Sequence, residues 1–182
     1  ENGGVWFGWV PHLARHFGLV RPDMRSFGRS TLMPPDYPWT MNTVVDDFIA
    51  LMDALQVERF HLIGAKLGGM FARRLASRFP DRVLTRTLAG TPQPQHYQDE
   101  RNAARNQELE REGVKAWARQ TMSSRLGSRF PAEGAEWWIR EMAKTDLQSM
   151  AGFRTIDDMD ITADLPRIRC PTLVITTEGS AL

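Results

Sequence analysis

The chain has 182 residues, 42% of them hydrophobic and 25% charged, a mix that suits one soluble globular domain with a sizeable core. Lys and Arg total 23 against 22 Asp and Glu, and a net charge of +1 without a dense basic run argues against nucleic-acid or anionic-membrane partners. Cys170 is the only cysteine, which excludes an intrachain disulfide and a cysteine-based metal centre and fits a cytoplasmic setting; no apolar run approaches the ~20 residues of a membrane-spanning helix.

Trp9, Leu13 and Phe17 recur at four-residue spacing with Val10 on the same side, which predicts a first helix, closed by Gly18. Leu19 to Asp23 reads as a short strand that runs into a Gly-, Pro- and Ser-rich loop from Met24 to Trp39. Val44, Val45, Phe48, Ile49, Met52 and Leu55 form the apolar stripe of a second helix, with Asp46 and Asp47 expected in its first turn, where the dipole favours acids. Phe60 to Gly64 reads as a buried strand containing His61. A helix from Leu67 to Phe79 follows, ended by Pro80, and then a strand from Val83 to Ala89 closed by Gly90. Strand and helix in this alternation predict a parallel sheet with helices on both faces. The stretch from Tyr97 to Thr155 is charged and helical in pattern, with Trp117, Trp137 and Trp138 as apolar anchors, and the strand signal returns at Pro171 to Thr176. The expected organisation is a sheet-bearing core, residues 1–94 and 166–182, with a helical lid at 95–165.

The segment Gly64-Ala65-Lys66-Leu67-Gly68 lies between a predicted strand and a predicted helix. A strand that turns this sharply into a helix is expected to leave no room for side chains two positions either side of its apex. The apex residue is held in strained geometry at the carboxyl end of the sheet. The spacing resembles the nucleophile elbow Gly-x-Ser-x-Gly of the α/β-hydrolases, with lysine at its centre. Two further stretches resemble that family. Arg21 to Ser30 is similar to its Asp-x-Arg-Gly-x-Gly-x-Ser loop, with Ser26 where the first glycine is usual. Pro171 to Ile175 is similar to the strand that leads to its acid. The resemblance implies a three-layer α/β-hydrolase fold with an inserted helical lid, incomplete at both ends. The position of the lid and its tryptophans look most like 3-oxoadipate enol-lactonase and related esterases and C–C hydrolases.

The resemblance also implies a Ser-Asp-His triad, which this sequence does not spell. Lys66 holds the serine position. The column of the acid falls on Ser180, with Glu178 as the nearest carboxylate. The histidine would come after Leu182, so the chain is expected to be part of a longer protein. Glu1 to Gly4 reads as the tail of an oxyanion loop, with the Gly3 and Gly4 N–H groups and that of Leu67 as donors. His12, His16, His61 and His96 are expected to be structural or solvated. No pair of them has metal-ligand spacing, and Asp157-Asp158-Met159-Asp160 lacks the pattern of a calcium loop. Asp23 is expected to bond its own loop, Ser30 to be a turn or cap residue, and Arg25 and Arg29 to steady the loop. No cofactor and no metal is implied, and the partner is a small-molecule substrate or ligand, with further copies of the chain left open.

An amine buried beneath a lid, at the positive end of a helix dipole, is expected to favour its neutral form and to act as nucleophile or base toward a carbonyl. Three readings stay open: lysine chemistry of this kind; a charged lysine paired with a carboxylate such as Glu178 in a protein that only binds a ligand or partner; and hydrolysis by water activated through Lys66 or the absent histidine. The expected function is action on a small ester, lactone or related carbonyl compound.

Overall fold

A computed structural model describes residues 2–92, 100–123, 125–127, 129–153, 156 and 160–176. Its contacts divide the chain into two compact units, Glu1–Tyr37 with Ala103–Thr155 and Pro38–Asn102 with Ile156–Leu182.

The second unit carries the sheet. Its strands are β1 (Phe60–Ala65), β2 (Val83–Ala89) and β3 (Thr172–Ile175), all parallel and in the order β1-β2-β3. The β1–β2 connection is the helix α3 (Leu67–Arg78), the crossover that a parallel pair requires. Helix α2 (Met41–Ala54) precedes β1 and packs on α3, which also packs against both strands. Thr40 caps α2 by accepting the Thr43 N–H at 3.0 Å. The helix therefore starts earlier than its apolar stripe suggested, and Asp46 and Asp47 lie beyond its first turn. Met41, Val44, Val45, Met70, Phe71, Leu75 and Leu88 are all essentially inaccessible. Each large apolar side chain among them contributes about 1.5–3 kcal/mol of burial free energy. Strand β3 is solvent-exposed along its whole length.

A short 3-10 segment, Thr162–Arg167, also packs on α3. Its Asp164 is buried and lies 2.8 Å from Arg74 Nε of α3 and 3.0 Å from Arg167 Nη2. The Arg74 approach is an ion pair without the alignment of a hydrogen bond.

The first unit opens with a 3-10 turn, Gly3–Trp6, and the single-turn helix α1 (Val10–Leu13). This is far shorter than the stripe through Phe17 suggested, and Trp9 and Phe17 are exposed, so no buried face sustains a longer helix. Leu19 to Asp23 is not a strand. Leu19 and Val20 are exposed, Pro22 has no N–H to donate, and the segment pairs with no strand among the described residues. The remaining helices are α4 (Glu100–Met122), broken at Gly113 (φ 80°), α5 (Ala132–Ala143) and α6 (Leu147–Phe153). Leu109, Val114, Trp117, Met122, Ile139 and Met142 form their core, with Trp138 packed against it. Trp117 is thus an anchor, as expected, whereas Trp137 stacks edge-on to the exposed Phe7 with 5.2 Å between ring centroids. No helix among the described residues is long and apolar enough to cross a membrane.

Removing one partner of a buried ion pair strands the other charge. Asp164→Ala is therefore expected to destabilise the chain by about 3 kcal/mol, read as a lower urea midpoint, while Asp160→Ala, which removes only an exposed acceptor of the Thr162 N–H, lowers the midpoint far less.

Candidate active site

Strand β1 ends at Ala65, α3 begins at Leu67, and Lys66 alone makes the corner. Its backbone sits at φ 51° and ψ −124°, a region that non-glycine residues occupy at a cost of about 1–3 kcal/mol. The Lys66 N–H donates to Ala89 O at 2.9 Å, which ties the apex to the end of β2, and the Gly69 N–H donates back to Lys66 O at 3.0 Å. The expected sharp corner is present. Gly64 is required for it, because a Cβ there would stand 2.5 Å from Gly68 O and 2.8 Å from Gly69 Cα.

The second tight glycine is Gly69, not Gly68. A Cβ on Gly68 meets nothing within 4 Å, whereas one on Gly69 would run into the Thr91 side chain, 2.7 Å from its Cβ. The reason is helical geometry: Gly68 points outward from the first turn, and Gly69 faces the end of β2. The Gly-Gly doublet carried this signal, but spacing from the apex assigned it to the wrong member.

The Lys66 side chain lies across Gly90, the residue that closes β2. Lys66 is exposed, not enclosed as anticipated from the sequence. Its amine makes no ion pair or hydrogen bond within the described residues. Glu178 and Ser180 lie outside the described residues, as does His96. Leu67 is the first residue of α3, a position whose N–H has no intrahelical acceptor. Arg73 of α3 donates to Pro92 O at 2.6 Å, just beyond the tip of β2. Burial, and then the nearby Arg86 charge, hold the Arg73 guanidinium below its usual pKa. Arg86, on β2, is lowered by burial as well, with Thr172 Oγ1 as its hydrogen-bond acceptor at 3.1 Å.

In the first unit the N-terminal glycines are tied down. The Gly3 N–H donates to Asp23 Oδ1 at 2.6 Å and the Gly4 N–H to Asn2 Oδ1 at 2.8 Å. Both N-terminal donors anticipated for an oxyanion are thus engaged, Gly3 by a side chain from a later loop and Gly4 by its own neighbour. Asp23 also accepts the Arg29 N–H at 3.0 Å, and Ser30 Oγ donates to Asp23 O at 2.7 Å, the loop-binding roles expected of these two residues. Arg25 donates to the Tyr37 hydroxyl and stacks on its ring. Ser26 has φ 65°, a left-handed conformation natural to glycine. It is held there by its N–H to Thr31 O at 2.8 Å and by its Oγ, which accepts the Met33 N–H at 2.7 Å.

His12 and His16 are exposed. His61 is exposed too, not buried in its strand, and pairs with Thr85 Oγ1 at 2.8 Å. Asp160 accepts the Thr162 N–H at 2.9 Å, and no group of three acidic, histidine or cysteine side chains fit to hold a metal occurs among the described residues.

A parallel strand, a strained apex and a glycine-packed helix define the site as a hydrolase-type elbow carrying an amine. Residues 1–169 match the α/β-hydrolase fold family, and the chain belongs to it. It is 36% identical over 90 residues to 2-hydroxymuconate semialdehyde hydrolase of Pseudomonas sp. (strain CF600), covering 48% of this chain and 31% of that protein. It is 30% identical over 192 residues to a putative carbamate hydrolase RutD of Caulobacter sp. (strain K31), covering 100% of this chain and 70% of that one. The crystal structure of the enol-lactonase from Burkholderia xenovorans LB400 superposes with a TM-score of 0.78 at 25% identity, covering 96% of this chain and 68% of that one. The chain therefore spans about a third of the first relative's length and about two thirds of the other two.

Gly64→Ala forces backbone apart and is expected to lower stability by about 2–3 kcal/mol. Gly68→Ala, on an open helical position, is expected to be neutral or to raise it by up to about 1 kcal/mol. Urea unfolding of the two variants side by side checks this contrast. In the same assay Lys66→Gly is expected to gain about 1 kcal/mol by relief of the apex strain.

Proposed function

We propose that the protein acts on a small ester, lactone or other carbonyl compound, with Lys66 in the nucleophile's place. The observation that carries this reading is the apex itself. The chain keeps a strained non-glycine residue at φ 51° at the carboxyl end of β1, with its side chain free of any bond among the described residues. Strain of this kind is relieved by glycine, and a lysine kept under it has the base of its side chain held in one direction at the corner. Two routes are open to that amine. With an aldehyde or ketone, attack gives a carbinolamine that loses water to form an imine. With an ester or lactone, attack by the amine would leave a stable amide. There the amine serves as a base toward water, and the water oxygen forms the new bond as the alkoxide leaves. The 2-hydroxymuconate semialdehyde hydrolase and enol-lactonase relatives make carbonyl compounds and lactones the first substrates to try.

A second reading is a site that binds a ligand or partner without chemistry. The exposure of Lys66 and the engaged Gly3 and Gly4 N–H groups favour it. An exposed ammonium is well placed to meet a carboxylate, and an oxyanion lacks those two donors in this arrangement.

Borohydride reduction in the presence of a panel of small aldehydes, keto acids and lactones separates the readings. The first predicts turnover, or an adduct at Lys66, that disappears in Lys66→Ala. It also predicts that Lys66→Ser changes the rate of ester hydrolysis at least tenfold, in one direction or the other, since the acid–base partner changes. Ligand binding with neither adduct nor turnover, or turnover unaltered in rate by either variant, sinks it.

A further inference from the structure

The residue that closes β2 has a place in this site beyond ending a strand. Gly90 has φ 53°, and the Lys66 side chain lies directly over it. A Cβ on Gly90 would stand 3.1 Å from Lys66 Nζ, 3.3 Å from Cε and 3.6 Å from Cδ. The last three heavy atoms of the lysine thus run along a surface that exists only because residue 90 has no side chain.

The tip of β2 cannot move aside to make room. The Gly90 N–H donates to Ile175 O of β3 at 2.8 Å, and Ala89 O accepts the Lys66 N–H at 2.9 Å. On the far side, Arg73 Nη1 holds Pro92 O at 2.6 Å. Between these ties the buried Thr91 side chain sits in the notch left by Gly69, so the tip is wedged against the first turn of α3. The side chain of Lys66, by contrast, is exposed and has four rotatable bonds. An atom added at residue 90 therefore meets an amine that gives way more readily than the tied strand tip, although any side chain at φ 53° also strains residue 90 itself.

We infer that Gly90 is a positioning residue for Lys66: its missing side chain seats the amine over the carboxyl end of β2, and a larger residue there moves the amine off that seat. The inference deepens the lysine reading of the site, but the seat can be measured without any substrate. Seated over Gly90, the amine has its strand-facing side covered; once displaced, that side is open to reagents as well.

The test is competitive acetylation of the whole chain with trace acetic anhydride, with Lys66 read against the exposed Lys115 by mass spectrometry. Gly90→Ala and Gly90→Asn are compared with the parent, because asparagine tolerates the left-handed backbone better than alanine and keeps the experiment alive if alanine unfolds the tip. The Lys66-to-Lys115 ratio is expected to rise about threefold in each folded variant, the factor that a modest rotamer penalty corresponds to. A ratio unchanged from the parent in Gly90→Asn, with native circular dichroism, overturns the inference. The two proposals also fail differently. Absence of a borohydride adduct in the parent removes the lysine chemistry and leaves the labelling ratio standing; an unchanged ratio beside a trapped adduct removes the role of Gly90 alone.

Discussion

The crossing of β1 into α3 at Gly64 is the constraint on which the rest of the sheet-bearing unit depends. A hydrogen at residue 64 lets the Gly68 carbonyl and the Gly69 Cα approach to distances that no Cβ could share. With that contact made, the chain reverses from strand to helix through one residue, and that residue has to accept φ 51°. The same corner puts the Lys66 N–H on Ala89 O and brings α3 down against β1 and β2. Apex, sheet and helix are therefore one mechanical object, and the identity of the apex side chain is free to vary within it. This is how a family can keep its elbow while the group it presents changes from a hydroxyl to an amine.

The buried charges of this unit are a second theme. Asp164 gathers Arg74 and Arg167, an arrangement in which each buried carboxylate oxygen meets a cation. Arg86 is treated less well. It is 6% exposed, its Nε and Nη1 have no hydrogen-bond partner among the described residues, and burial holds its guanidinium below its ordinary pKa. A guanidinium so placed costs the fold free energy, by about 1–3 kcal/mol for each unsatisfied polar group. Its side-chain bond to Thr172 ties β2 to β3, a strand otherwise exposed along its length.

The sequence pattern was most legible where a single period ran uninterrupted. Val83 to Ala89 was read to the residue, Phe60 to Gly64 fell one residue short, and α3 begins at Leu67 as read but ends at Arg78, one residue before the Phe79 that Pro80 suggested. It failed where apolar residues recur without a surface to bury them. Trp9, Leu13 and Phe17 keep helical spacing, yet only Val10–Leu13 is helical, since spacing alone does not offset the entropy of ordering a helix. Pro22 and a lack of strand partners likewise left Leu19 to Asp23 irregular. At the site, Lys66, Leu67 and Gly64 were legible because a tight turn restricts residue types locally. Gly69 and Gly90 were not, because what they make room for, Thr91 and the Lys66 side chain, lies 22 and 24 residues away in the chain.

The order of residues by itself determined the alternation of strand and helix, the parallel sheet, the family and the position of the lysine at the elbow, all of which follow from local spacing, turn chemistry and apolar period. Tertiary structure alone decided that Lys66 is exposed, that the Gly3 N–H is spent on Asp23, and that the lysine rests on Gly90. Those facts depend on which side chains arrive from distant segments to compete for the same space and the same donors, and no period in a sequence records that competition.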